Sequence, residues 1–213
     1  MNKLTIILEG ASGIGKTTLC KKLQNNYKTI PEVNQLFERT NNSDNYWYLK
    51  KQIERFKIGN TSNITTIFDG DLFQPIWYNW IYNYPKEFLS AEKTHEFYKE
   101  NIKNQNIQFP DLYIVFYCSE EELRRRKNSD KTRLRRNFEK HLLFIKPQIA
   151  YFEYIQKFTP INVKFIEYTD LESTYEKVKL AIEETEIKKK NDLEAFNNIE
   201  TWMLKTKCNN IYN

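Results

Sequence analysis

Residues 10–17 read GASGIGKT, a full match to the spacing G-x-x-x-x-G-K-[ST]. Glycines at such positions let backbone N–H groups converge on phosphate oxygens with no Cβ in the way. A helix starting at the lysine adds the positive end of its dipole. The expected triphosphate-binding set is therefore Gly10, Ser12, Gly13, Ile14, Gly15, Lys16, Thr17 and Thr18. Lys16 is expected to reach the β and γ phosphates, and the Thr17 hydroxyl to bind the accompanying Mg2+. A second group is basic: Arg124, Arg125, Arg126, Lys127, Lys131, Arg133, Arg135 and Arg136 fall within 13 positions. Three consecutive arginines on a helix cannot all face one ligand, so Arg133, Arg135 and Arg136 are the stronger candidates for a cationic lid over the phosphates. A third group is acidic. Glu32, Asp69 and Asp71 each stand at the end of an expected strand, where ligands bind in open α/β sheets. Asp69 is expected to serve the metal, and Asp71, beyond Gly70, to point toward an acceptor.

These groups need a frame. Leu4–Leu8, Ile30–Val33, Ile64–Phe68, Leu112–Tyr117 and Val163–Tyr168 read as strands, the first of them apolar enough to be buried on both faces. Helices are expected over 16–26, 45–58, 85–104, 119–127 and 137–157, the last with a break near Pro147. Ser119 with Glu122 is a capping box. Alternating strands and helices imply an α/β domain, a three-layer sandwich with a five-stranded parallel sheet covered on both faces. Residues 1–185 are expected to form that domain, with 128–136 as the lid. After Thr185 the spacing of Leu193, Phe196, Ile199, Trp202 and Met203 predicts an amphipathic helix in a 186–213 extension, packing on the domain or on the partner subunit of a homodimer.

The chain has 213 residues, 40% hydrophobic and 15% aromatic, enough for one domain with a real core. Three of its five glycines fall within six positions of the phosphate motif, where backbone shape matters. A net charge of +5 does not by itself call for a nucleic-acid partner. The three cysteines lack metal-ligand spacing and read as reduced thiols, and no apolar run is long enough for a membrane span. A cytoplasmic protein without a signal peptide is expected.

The opening ILEGASGIGKTTLCKKL resembles that of thymidylate kinases and deoxynucleoside kinases, with their strand, Glu-Gly and P-loop start. A Pro-Glu after the second strand, an acidic turn after the third and an arginine-rich lid after the fourth extend the resemblance over residues 3–185. It implies a P-loop kinase fold and transfer of the γ-phosphoryl group of ATP, with Mg2+, to a small-molecule acceptor, a nucleoside or nucleotide. It also implies that Glu32 in IPEVN is the base, so the identity of the base stays open between Glu32 and Asp71. The chain departs from those families at Asp69-Gly70-Asp71, where they carry an arginine after the acid; Arg39 and Arg55 are the candidates to replace it. A kinase for another hydroxylated small molecule such as an antibiotic, a non-catalytic nucleotide switch and a polynucleotide end kinase are the alternatives. Among the aromatics, Tyr46, Trp47, Tyr48, Phe73, Trp77, Tyr78 and Trp80 are expected to supply at least one face of an acceptor pocket. His95 and His141 carry no assigned role.

Overall fold

The apolar run before the glycines forms β1 (Thr5–Gly10) at the centre of a parallel sheet. A computed structural model of the chain describes residues 3–40, 43–61, 63–82, 89–129, 138–206 and 208. The other strands are β2 (Lys28–Ile30), β3 (Thr66–Asp69), β4 (Leu112–Tyr117) and β5 (Asn162–Glu167), in the order β2-β3-β1-β4-β5, every neighbouring pair parallel. Leu8 lies beside Asp69 of β3, and Gly10 beside Phe116 of β4, so the glycine motif emerges between the C-terminal ends of both neighbours.

Side-chain alternation sorts the core into two faces. Leu4, Ile6 and Leu8 pack against α1 (Lys16–Leu23), α6 (Glu120–Ser129), α7 (Phe138–Leu142) and α9 (Leu171–Glu183). Ile7 faces the other side, toward α3 (Trp47–Gly59), α4 (Gln74–Tyr82), α5 (Ala91–Lys103) and α8 (Ile145–Phe158). Burying each such aliphatic side chain contributes about 1.5–3 kcal/mol. Glu9 shares the face of Ile7, and Asp69 the face of Ile67 and α1; alternation thus sets two acids on opposite sides of one sheet edge.

Several boundaries differ from the sequence reading. β2 ends at Ile30, because Pro31 has no N–H for the ladder, and Val33 begins the short helix α2 (Val33–Leu36). β3 begins at Thr66, while Ile64 is exposed. α4 occupies a stretch assigned no helix, and α9 likewise, capped by the Asp170 carboxylate accepting from Ser173 N at 2.9 Å. The expected long helix over 137–157 is two helices, α7 and α8. Pro147 falls in the first turn of α8, where a missing N–H has no intrahelical acceptor to lose, so the break lies before it. The capping serine is in place, with Ser119 Oγ accepting from Glu122 N at 3.2 Å.

α10 (Asp192–Lys205) follows the expected spacing, burying Phe196, Ile199 and Met203 against α5 and α8. Its Trp202 stacks on Tyr154 at 4.6 Å, and Trp80 of α4 donates from Nε1 to Thr206 O at 2.9 Å. Among the described residues, no helix is long and apolar enough to cross a membrane.

Candidate active site

At the end of β1 the chain enters the phosphate loop through left-handed backbone at Gly10, φ 141°, and leaves it at Gly15, φ 118°. A Cβ at Gly10 would meet Phe116 O at 2.6 Å, and one at Gly15 the Tyr168 ring at 2.6 Å. These glycines are required by close approach as well as by dihedral angle. Ile14 buries its side chain among the residues packed on α1, so its backbone is what it offers a phosphate. Ser12 lines a cavity beside the loop, and Thr18 is exposed on α1. Lys16 opens α1 and folds over the loop, donating from Nζ to Gly10 O at 2.5 Å and lying 3.7 Å from Glu9.

Thr17 and Asp69, the two residues expected to serve a metal, lie together, the Thr17 hydroxyl donating to Asp69 Oδ2 at 2.8 Å. Asp69 Oδ1 is buried with no hydrogen-bond partner. A buried carboxylate oxygen left unmatched calls for a cation or its water. Among the described residues, no cluster of three His, Cys, Asp or Glu side chains forms a metal cage. The donor set therefore fits a hard cation carried in by phosphates, which Thr17 and Asp69 would complete.

Asp71 stands elsewhere than expected. It is 1% exposed and does not line the cavity; its carboxylate is turned into the core, accepting from Phe73 N, Tyr113 Oη and Trp77 Nε1, each at 3.0 Å. Burial, and then the nearby Glu9 carboxylate, push its pKa up to about 7, against those three donors. Gly70, φ 87°, does turn the chain, but inward. Of the three acids picked out in the sequence, Glu32, at the start of α2, is the one that lines the cavity, and a Cβ on Gly70 would lie 3.6 Å from its Cγ. Burial raises its pKa; Lys16 opposes this, and Asp69 and Glu9 add to it. A carboxylate lifted in this way is a better proton acceptor.

The two candidate arginines separate. Arg55 of α3 is 1% exposed and donates from Nη2 to Asp69 O at 2.9 Å and Gly70 O at 3.3 Å, holding the turn from below. Arg39 lines the cavity, its guanidinium 5.7 Å from the Trp47 ring. Arg133, Arg135 and Arg136 lie outside the described residues, as does all of the expected lid except the end of α6.

The cavity has a volume of about 410 Å3, suited to a small organic molecule. Lys16, Glu9 and Ser12 lie at one end; Tyr48, Trp77, Tyr78 and Phe144 give aromatic walls, and Asn34, Asn45, Gln74 and Asn79 give amides. Tyr78 and Phe144 meet edge-to-face at 5.3 Å, and Tyr48 Oη donates to Gln74 Oε1 at 2.7 Å. Three of the aromatics singled out in the sequence, Tyr48, Trp77 and Tyr78, are thus in the wall. His141 is there too, without having been expected.

Glu9 and Gln148 were also missed. Glu9 Oε1 accepts from Gly10 N at 2.8 Å and Gln148 Nε2 at 3.2 Å, and Oε2 from Asp71 N at 2.9 Å. One buried carboxylate therefore ties together the phosphate loop, the turn after β3 and α8. The signal was present: an acid ending a strand otherwise buried in apolar packing, and an amide in the apolar stripe of Ile145, Ile149 and Phe152.

No protein-family model matches the chain, and neither does any curated protein sequence. Solved structures do. Deoxyadenosine kinase from M. mycoides superposes with a TM-score of 0.59 at 15% identity, over 84% of this chain and 98% of that one. Thymidylate kinase from Candida albicans gives 0.55 at 17% identity, over 85% and 92%. Thymidylate kinase from Ehrlichia chaffeensis gives 0.50 at 15%, over 85% and 99%. The chain has the fold of these P-loop kinases, with α10 at the end of its sequence.

Proposed function

We propose that the protein is a P-loop kinase that transfers the γ-phosphoryl group of ATP to the hydroxyl of a nucleoside. The observation that carries this reading is the placement of Glu32 in the same cavity as Lys16, beside the Thr17–Asp69 pair. Lys16 would leave the Gly10 carbonyl for the phosphate oxygens and draw off charge there. Glu32 would accept the proton of an acceptor hydroxyl as the hydroxyl oxygen attacks the γ-phosphorus in line and ADP leaves with the bridging oxygen, and the aromatic walls would hold a flat base. Thr17 and Asp69 would hold Mg2+, which would supply charge neutralisation on the phosphates. Arg133, Arg135 and Arg136 are proposed to close over the phosphates.

An alcohol is favoured over a monophosphate as acceptor because Glu9 and Glu32 would repel a phosphate dianion at the reacting end. Arg39 supports the second reading, a nucleoside monophosphate whose phosphate it would pair. The M. mycoides deoxyadenosine kinase was solved with dCMP and dCDP, or with dATP, so the neighbouring fold serves nucleosides and their phosphates. The test is transfer of labelled phosphate from Mg–ATP to deoxynucleosides, to their monophosphates and to hydroxylated antibiotics. Turnover on deoxynucleosides supports the proposal, turnover only on monophosphates replaces it with the second reading, and ATP binding without transfer to any of them overturns both.

A further inference from the structure

Three consecutive arginines on α6 have three different fates. Arg124 pairs with Glu120 at 2.7 Å and Glu139 at 2.8 Å, on the surface. Arg125, 68% exposed, pairs with Glu122 at 2.6 Å. Arg126 is 17% exposed, and its guanidinium crosses from α6 to the phosphate loop. Its Nη1 donates to Ile14 O at 2.6 Å, its Nη2 to Thr169 O at 2.6 Å and Tyr168 O at 3.2 Å, and its Nε to Glu122 Oε1 at 2.6 Å. The same guanidinium lies 4.7 Å from the centroid of the Tyr168 ring, and that ring presses on the face of Gly15. Tyr168 is itself fixed by the sheet, donating from its N to Tyr117 O at 2.8 Å and packing on Phe116 at 5.5 Å.

We infer that Arg126 is a positioning residue of the phosphate site, one that acts on the Ile14–Gly15 peptide and does not itself touch the phosphate. The peptide is planar and trans, so its C=O and N–H point in opposite directions. Holding the Ile14 oxygen outward toward Arg126 turns the Gly15 N–H toward the concave side of the loop, where a phosphate oxygen would sit. Gly15, with no Cβ and φ 118°, could otherwise rotate that peptide at little cost. Two contacts stop it: the Tyr168 ring on one side and the charged hydrogen bond from Arg126 on the other. Glu122 holds the guanidinium in register without competing for the carbonyls. The anion-binding loop is thereby set from outside, and it need not be organised by its ligand at the moment of binding.

This role rests on the reading of residues 10–17 as a phosphate site, but not on the identity of the acceptor. The test is calorimetric binding of two probes, Mg–ADP and inorganic tripolyphosphate, the second of which has no base or sugar. Arg126→Met keeps the aliphatic stem and removes all three carbonyl contacts; Arg126→Lys keeps the charge with a smaller reach; Arg125→Met is the neighbouring control. Losing a charge-assisted hydrogen bond predicts that Arg126→Met binds both probes about 10- to 100-fold more weakly, by the same factor for each. Arg126→Lys should fall between, and Arg125→Met should match wild type. Thermal unfolding without ligand checks the fold, and should Arg126→Met not fold, the lysine variant decides. Unchanged tripolyphosphate affinity in the folded Arg126 variant overturns the inference, as does an equal loss in Arg125→Met. A wild-type chain that binds neither probe removes the phosphate-site reading together with this one, whereas a wild type that binds and an Arg126 variant that binds equally well removes this one alone.

Discussion

The two ends of the cavity are made in different ways. At the phosphate end, Glu9, Gly10, Ala11, Ser12 and Lys16 come from one strand–loop–helix turn, whose glycines leave backbone free to meet a phosphate. At the acceptor end, Glu32, Tyr48, Gln74, Trp77, Tyr78 and Phe144 come from four separate stretches of chain, and all of them act through side chains. A site made of backbone tolerates few alternatives, since the glycine dihedrals and the lysine register must all be met at once. A site made of side chains can be rebuilt residue by residue, so its chemistry varies on one fold. Mutations should therefore separate the two ends by which kinetic constant they move.

The largest effect belongs to the phosphate end. Lys16→Ala should lower kcat by about 10³- to 10⁵-fold, the range for losing a cation that stabilises the transferring group. Its unfolding temperature should match wild type, because Lys16 is bound to the loop's own carbonyls and to Glu9, not to a distant element. Wild-type turnover in this variant would sink the kinase reading. Next comes Glu32→Gln, expected to lose about 10²- to 10⁴-fold in transfer through removal of the base, with Mg–ATP affinity unchanged. Full transfer in Glu32→Gln would move the base elsewhere and leave Glu32 as part of the cavity wall.

How much of this was legible follows from the same contrast. The parallel sheet and the phosphate loop could be read because their signals are local: an apolar run, three glycines and a lysine in register. Asp71 could not be placed, because whether Gly70 turns the chain inward or outward is decided by Trp77 and Tyr113, whose donors lie six and 42 residues away. Arg55 and Arg39 were indistinguishable in sequence; packing under β3 assigned one to two backbone carbonyls and left the other in the cavity wall. Gln148 lay hidden in a helical stripe, since an amide at a core position shows its purpose only when its partner, Glu9, is known.

Asp71→Asn sharpens the comparison at smaller scale. An asparagine keeps one oxygen for Phe73 N and Tyr113 Oη but turns an N–H₂ toward the indole N–H of Trp77, leaving two buried donors face to face. That should cost about 1–3 kcal/mol of stability. Trp77 is in the acceptor wall, so the acceptor KM should rise while the ATP KM stays. A stable variant with no turnover and an unchanged acceptor KM would mean instead that Asp71 reaches the acceptor.

The smallest effect is a pH dependence seated behind the acceptor end. His95 of α5 is buried, with Nδ1 3.0 Å from Glu200 Oε1 of α10 and Nε2 without a hydrogen-bond partner. Its neighbour Thr94 lines the cavity and accepts from Asn79 Nδ2 at 2.8 Å. Burial lowers the pKa of His95, Lys99 acts in the same sense, and Glu200 opposes them. A histidine held below its ordinary 6.5 is neutral in the fold. Its contribution to stability is complete above that value and declines as pH falls below it, because the unfolded chain takes up the proton first. Asp71 and Glu32 act in the opposite sense, since their raised pKa values favour the folded state as pH falls. The wild-type curve alone therefore mixes signs, and the difference between wild type and His95→Gln isolates the histidine. Measured by thermal unfolding, His95→Gln should gain on wild type between pH 8 and pH 5.5. The acceptor KM of wild type should rise over the same interval more than that of the variant, with the ATP KM alike in both. Parallel unfolding curves would show that His95 takes up its proton as readily in the folded chain as in the unfolded one, and that the contact between α5 and α10 does not sense pH.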